Sequence, residues 1–154
     1  MKKAILFLAV FGLVGLAWAA DPFVGTWKLN PSKTKTTGWA GAISESSTVK
    51  IEAQENGVKF RWDGVKPDGK TLHAEFAAKY DGNDYAVMGD PDSDTVSLRK
   101  IDANTVDYIF KKAGQAIFSE RAVVSSDGKT ISLTVTGIDS QGKPYEAILL
   151  YDSQ

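Results

Sequence analysis

The chain has 154 residues, with 18 basic and 19 acidic residues, a formal net charge of −1 and no cysteine. The lack of cysteine excludes disulfide bonds and thiolate metal sites, so the hydrophobic core alone must stabilise the fold. The basic residues are scattered along the chain, which disfavours nucleic acid and anionic membrane surfaces as partners.

The first 19 residues are predicted to be a cleaved secretory signal peptide. Two lysines precede an apolar run at residues 4–16, and the small-x-small sequence Ala-Trp-Ala follows. This run is shorter than the roughly 20 residues of a membrane-spanning helix. We therefore expect residues 20–154 to be one exported, monomeric domain in the periplasm or outside the cell, with no lipid anchor and no inserted membrane segment.

Turn sequences recur along residues 20–154 at spacings of 9 to 14 residues. Many are Asn-Gly or Asp-Gly pairs, which supply the positive φ angles that tight hairpins require. Turns at such regular spacings predict an all-β protein with almost no helix. In chain order the turns are Asn56-Gly57, Asp68-Gly69, Asp81-Gly82, Asp90 to Asp94, Ala103-Asn104, Gly114, Asp127-Gly128 and Gln141-Gly142.

The segments between these turns alternate apolar and polar residues with period two, as half-buried strands do. About ten strands (8–10) follow one another through short loops, which predicts an antiparallel up-and-down meander. Closing that meander into a β-barrel removes its exposed edges, so a barrel is favoured over a sandwich. The apolar sets include Val49-Ile51-Ala53, Val58-Phe60-Trp62, Leu72 to Tyr80, Val106-Tyr108-Phe110, Ile131-Leu133-Val135 and Tyr145 to Tyr151.

A barrel of this size is expected to enclose a cavity, because around eight strands already leave room for one small ligand. Aromatic residues on the apolar strand faces are the candidate ligand contacts, although most of them are expected simply to pack in the core. The predicted ligand-binding set is Phe60, Trp62, Phe76, Tyr108, Phe110, Phe118, Arg121 and Tyr151.

The segment "FVGTWKL", residues 23–29, resembles the first strand of intracellular fatty-acid-binding proteins and carries the Gly-x-Trp of lipocalins. It is also similar to the start of small secreted bacterial lipocalin-like proteins. The resemblance to these calycin-type barrels implies that Gly25 lets the chain pass closely over the barrel floor. It also implies that Trp27 plugs that end.

Three features depart from those families. The segment Pro31 to Ala42 is too short and too rich in Thr and Gly for the helix-turn-helix lid of fatty-acid-binding proteins. Their carboxylate-holding Arg-x-Tyr pair corresponds here to Leu149-Leu150-Tyr151, which keeps only the tyrosine. The arginine that lipocalins pack across the first-strand tryptophan has no counterpart after Arg121.

Arg121 is the main candidate for a cation inside the barrel. It lies in "AIFSERAVV", where both alternating faces carry apolar residues, so either Glu120 or Arg121 faces inward or a β-bulge interrupts the alternation. The sequence leaves these alternatives open. A buried arginine would need an acidic partner, which a ligand could provide.

Other candidate sites are weaker. Trp39, in the Gly-flanked "TTGWAGA", is either a portal residue at the barrel mouth or a residue packed on the outer wall. His73 is the single histidine and is expected to be exposed, which argues against an enzyme. "DPDSDT", Asp90 to Thr95, lacks the Gly and Glu of a calcium-binding EF-hand loop, so we expect neither a metal nor a cofactor.

Two functions lead on the sequence, and a hydrolase that uses His73 is a distant third. The first is an exported barrel that binds or carries a small hydrophobic or amphipathic molecule. The second is a filled, ligand-free barrel that acts as a structural or protein-interaction module of the bacterial envelope or extracellular space. The volume of the interior distinguishes them, because a filled barrel packs to interior density.

Overall fold

The computed structural model describes residues 20–37, 46–66, 69–139 and 141–154. These residues form eleven β-strands and one 3-10 turn, Pro31–Lys33. The strands are β1 (Gly25–Leu29), β2 (Lys35–Thr37), β3 (Ser46–Gln54), β4 (Gly57–Val65), β5 (Thr71–Lys79), β6 (Asp81–Met88), β7 (Thr95–Asp102), β8 (Thr105–Lys112), β9 (Gln115–Val124), β10 (Thr130–Ile138) and β11 (Pro144–Ser153).

The sheet closes on itself. Strands β3 to β11 pair in chain order, each antiparallel to the next, and β1 pairs with both β3 and β11. Trp27 of β1 lies opposite Val49 on one side and Ser153 on the other. This ten-stranded closed barrel confirms the predicted all-β, antiparallel up-and-down meander of about ten strands.

Strand β2 pairs with β11 further along the barrel wall, in line with β1, which pairs with the same strand. Pro31 has no N–H to donate to a ladder, and the chain there leaves the sheet in the 3-10 turn. Beyond the turn, β2 returns to the edge of β11, with Thr36 opposite Ala147. The described chain between Pro31 and Thr37 is thus a turn and a strand.

The barrel has a closed end and an open end. Residues 21–25 and the turns after β3, β5, β7 and β9 lie at the closed end, where Phe23 is completely buried. The turns after β4, β6, β8 and β10 surround the open end. Among the described residues, no helix is long and apolar enough to cross a membrane.

Side chains alternate between the barrel interior and solvent, as the period-two pattern predicts. Val58, Val96, Leu98 and Val106 are completely buried. The β8–β9 turn has positive φ at both Ala113 (49°) and Gly114 (78°), which is the backbone that a two-residue hairpin needs.

Gly57 shows how closely two strands approach at the closed end. A Cβ atom placed on it would lie 2.0 Å from the carbonyl oxygen of Ala78 on β5. Only a residue without a Cβ fits there. The Asn-Gly turn thus serves both the hairpin and the packing of β4 against β5.

Candidate functional site

The barrel interior contains a cavity of about 650 Å³. This volume lies within the range of sites that bury small molecules. Side chains from β1, β3, β4, β5, β8, β9, β10 and β11 line it. Strands β6 and β7 instead contribute Val87, Val96 and Leu98 to the packed core.

Phe23 and Trp27 form the floor of the cavity. Trp27 is 2% exposed, and its indole N–H donates a 2.9 Å hydrogen bond to the Phe23 carbonyl. Gly25 lies between them with φ 151°, a conformation that residues with a Cβ rarely adopt. A Cβ on Gly25 would also sit 3.7 Å from the indole nitrogen. The backbone at Gly25 therefore lets Trp27 fold back over the residues that precede it.

The floor is fixed from below by Asp21. Its carboxylate accepts a 2.9 Å hydrogen bond from the Tyr80 hydroxyl and lies 3.3 Å from the Lys100 ammonium. The ammonium also stands over the Tyr80 ring, 5.0 Å from its centre. Burial raises the pKa of Tyr80 well above its usual value. These contacts tie the segment before β1 to the turn after β5 and to β7.

An aromatic cluster forms one wall of the cavity. Phe60 and Phe76 stack with ring centres 4.6 Å apart, and Phe110 and Phe118 stack at 4.5 Å. Phe76 on β5 also meets Phe110 on β8 edge to face at 6.3 Å, although two strands separate them in the sheet. The rings therefore interact through the interior and narrow it on that side.

Polar groups on the wall are grouped around Tyr151. Its hydroxyl lies 2.9 Å from the buried Ser47 hydroxyl, and the Trp62 side chain lies close enough to act on it electrostatically. Burial raises the pKa of Tyr151. The strand register explains why these side chains lie close together. Leu29 of β1 lies opposite Tyr151 of β11, and Val49 of β3, the next strand on the other side of β1, lies opposite Trp62 of β4.

Glu120 is the residue of the Glu120/Arg121 pair that faces inward. It lies opposite Tyr108 on β8 and Val135 on β10, and its side chain lines the cavity. The carboxyl faces cavity space, and the surrounding protein shields it from bulk water. This desolvation, with a smaller contribution from the charge of Asp90, raises the pKa of Glu120 to about 8.

Arg121 lies on the outer wall, which corrects its inclusion in the predicted ligand-binding set. It is exposed, and its guanidinium holds Asp107 of β8 by two hydrogen bonds of 2.7 Å. Those bonds lower the pKa of Asp107. Since side chains alternate along a strand, the inward orientation of Glu120 requires this outward orientation.

The open end of the cavity is acidic. Asp90, Asp92 and Asp139 line it, together with Lys66 and His73. Asp90 accepts hydrogen bonds from the Asp92 amide, at 2.9 Å, and from the Ser93 hydroxyl. The Asp-rich loop is thus held in shape by its own side chains. No cluster of potential metal ligands occurs within the described ranges.

His73 belongs to a polar network on the outer wall. Its Nδ1 is 2.8 Å from Asp63, which also accepts a 3.0 Å hydrogen bond from Arg61, and Glu75 lies 3.7 Å from Nε2. Hydrogen bonds from His73 and Arg61 lower the pKa of Asp63. His73 is partly exposed, and its partners are those of a surface ion-pair network.

The structure brings seven of the eight predicted ligand-binding residues to the cavity wall: Phe60, Trp62, Phe76, Tyr108, Phe110, Phe118 and Tyr151. That each of them contacts a ligand stays a prediction. Trp39, the candidate portal residue, lies outside the described residues. Lining residues that were not selected from the sequence include Ser47, Glu120, Leu133, Tyr145 and Leu149.

No protein-family model and no curated protein sequence matches this chain. Solved structures do match. Zebrafish ileal bile-acid-binding protein, complexed with cholic acid, aligns with a TM-score of 0.50 and 10% identity, over 86% of this chain and 99% of that one.

The S-type phycobiliprotein lyase CPES from Guillardia theta aligns with a TM-score of 0.53 and 11% identity. That alignment covers 86% of this chain and 88% of the lyase. The chain has a calycin-like fold. At such low identity the likeness concerns the fold alone, which confirms the architecture suggested by "FVGTWKL".

Proposed function

We propose that the protein binds a small hydrophobic or amphipathic molecule inside the barrel. The observation that carries this proposal is the cavity of about 650 Å³, closed at one end by Trp27 and walled mainly by apolar and aromatic side chains. Burial of apolar ligand surface against such a wall is favourable by about 25 cal/mol per Å². The likeness to a bile-acid-binding barrel supports the proposal.

The size of the cavity argues against the filled-barrel alternative. Close-packed protein interiors have few voids larger than a water molecule, which occupies about 30 Å³ of liquid. A space of about 650 Å³ is far larger than such packing defects. A barrel with only a structural role would gain stability by filling it.

We further propose that the protein acts as a monomer outside the cytoplasm. The support is the lysine-led apolar segment before Ala20, which has the organisation of a cleaved secretory signal. Fractionation of cells that express the full chain should recover a protein starting near Ala20 or Asp21. A full-length protein in the cytoplasm would contradict export, and size-exclusion chromatography with light scattering would test the monomer.

The binding function is tested with the domain of residues 20–154 and an environment-sensitive apolar dye, followed by displacement with fatty acids, retinoids and quinones. Two variants of one strand locate the binding. Ala74→Phe adds a ring inside the cavity, whereas Ala77→Phe adds the same ring on the exposed face of β5. We expect saturable binding that Ala74→Phe weakens and Ala77→Phe leaves unchanged.

Two results would contradict the proposal. If no dye and no member of the panel binds saturably, the cavity does not serve as a ligand site. If both phenylalanine variants bind as the unmodified domain does, the dye binds elsewhere on the surface. Thermal unfolding of both variants, followed by circular dichroism, ensures that the comparison is made between folded proteins.

A further inference from the structure

The carboxyl group of Glu120 has no partner in the interior. Among the described residues it makes no hydrogen bond and no ion pair, although its side chain lines the cavity. A carboxyl group enclosed in a largely apolar cavity is poorly hydrated, so its charged form is costly without a partner. An unpaired acid on an otherwise largely apolar wall therefore indicates a group that a ligand can satisfy.

Among the residues that the structure describes, the groups that act on Glu120 do not include a cation. Tyr108 of β8 and Tyr145 and Tyr151 of β11 are near enough for its negative charge to raise the pKa of each hydroxyl. Asp90, in the loop between β6 and β7, is close enough to act on Glu120 electrostatically and is itself acidic. The interior polar region thus combines one carboxyl group with three phenols.

The entrance has the same sign of charge. Among the described residues, Asp90, Asp92 and Asp139 line the open end together with Lys66 and His73. The Lys112 ammonium also reaches this loop, where it lies 3.3 Å from the Pro91 carbonyl oxygen. An anionic molecule would pass three carboxylates and end beside the carboxyl group of Glu120, whose ionised form would repel it. A cationic molecule would be attracted at the entrance and could form a charge-assisted hydrogen bond inside.

We propose that the ligand is an apolar molecule that carries a cationic amine, and that the amine binds the Glu120 carboxylate inside the barrel. This inference rests on the proposed function and specifies its ligand class. The aromatic wall contacts the apolar part of the ligand. The faces of nearby rings, including Tyr108, also favour a cation.

Binding is expected to release a proton. With a pKa of about 8, Glu120 is mostly protonated at pH 7 in the empty barrel. When the ammonium arrives, the carboxyl O–H bond breaks, the proton passes to the buffer, and the carboxylate pairs with the ammonium. An alkyl amine, like lysine, stays protonated through this pH range. The affinity of the protein for the amine should therefore increase with pH, by up to tenfold per unit below pH 8, and level off above that value.

The experiment compares three probes with one tail and different head groups: dodecylamine, dodecanol and dodecanoate, each below its micelle concentration. Isothermal titration calorimetry of the domain of residues 20–154, in buffers of different ionisation enthalpy, gives affinity and proton release together. The variants are Glu120→Gln and, as a control with the same substitution on the exposed face of β11, Glu146→Gln.

We expect dodecylamine to bind at least about tenfold more tightly than dodecanol, and dodecanoate to bind most weakly. Glu120→Gln should weaken dodecylamine binding by about tenfold or more and abolish both its pH dependence and the proton release. Glu146→Gln should behave as the unmodified domain does. If Glu120→Gln does not fold, the head-group ranking and the pH dependence of the unmodified domain still decide the question.

Two outcomes would overturn the inference, and they are distinguishable. Binding of dodecanoate as tightly as dodecylamine, or an unchanged dodecylamine affinity in folded Glu120→Gln, would refute the amine preference and leave interior binding intact. Failure of all three probes to bind would overturn the proposed function as well.

Discussion

The role of Trp27 as the barrel floor leads to the sharpest stability prediction. Trp27→Ala removes a side chain that is 2% exposed. Deleting a buried aromatic side chain typically costs about 3 to 5 kcal/mol, because the lost contacts leave a hole that the structure fills only in part. We expect a loss in that range, which corresponds to a melting temperature lower by roughly 10 °C or more for a domain of this size.

A second variant separates the hydrogen bond from the packing. Trp27→Phe keeps a ring but removes the indole N–H, so the Phe23 carbonyl loses its 2.9 Å partner inside the floor. An unsatisfied buried acceptor costs about 1 to 3 kcal/mol. Trp27→Phe should therefore lie between the unmodified domain and Trp27→Ala in its free energy of unfolding.

Equilibrium urea unfolding followed by far-UV circular dichroism measures both variants, since dichroism does not depend on the tryptophan that is removed. Lys28→Ala, on the neighbouring exposed position of β1, is the control and should change the free energy of unfolding by less than about 0.5 kcal/mol. A cost below about 1 kcal/mol for Trp27→Ala would refute the floor assignment. So would equal costs for Trp27→Ala and the control.

Three further predictions concern other parts of the barrel. Gly57→Ala should lower the free energy of unfolding by about 3 kcal/mol, the upper end for overpacking, because the new Cβ would lie 2.0 Å from the Ala78 carbonyl oxygen. Gly114→Ala has open space around the new Cβ but a φ of 78°, so it should lower the free energy of unfolding by only about 1 to 2 kcal/mol. In urea unfolding, Tyr151→Phe should lower the free energy of unfolding by about 1 to 3 kcal/mol. A double-mutant cycle with Ser47→Ala should show positive coupling between the two sites. Additive losses of stability would mean that the 2.9 Å contact between the Tyr151 and Ser47 hydroxyls contributes nothing. Because the folded pKa of Glu120, about 8, lies above the unfolded value of 4.5, the folded state binds more protons between these pH values. The free energy of unfolding should therefore fall, relative to Glu120→Gln, by up to about 1.4 kcal/mol per unit as pH rises through this window; parallel curves for the two proteins would contradict the raised pKa.

Much of the fold could be predicted from local sequence signals. Asn-Gly and Asp-Gly turns encode hairpins, and period-two alternation gives each strand one apolar face, so neighbours along the chain become antiparallel neighbours in space. Closure also followed from a physical argument, since open edges expose unpaired backbone groups. The interruption of the first strand at Pro31, after which β2 rejoins β11, was not predicted, because it depends on pairing with a strand more than 100 residues away.

The site could be predicted only in part. Aromatic residues on apolar faces, such as Phe60 and Phe110, were correctly placed inside, because their strands have one apolar face. Ser47 was missed as a cavity-lining residue, and Tyr145, although placed on an apolar strand face, was left out of the ligand-binding set. A buried serine has no distinctive sequence pattern, and Ser47 is recognisable only by its contact with Tyr151, which lies 104 residues away.

The sequence by itself determined the barrel architecture: strands, turns, an all-β meander and a tryptophan in its first strand. Each of these follows from residues that are near one another in the chain. Only the tertiary structure decided the chemistry of the interior. Both faces of β9 carry apolar residues, so the sequence of this strand alone does not show which face points into the barrel. Pairing of Glu120 with Tyr108 of β8 and Val135 of β10 places Glu120 on the inner face and Arg121 on the outer face. The sign of the charge inside the barrel is therefore a property of the sheet register.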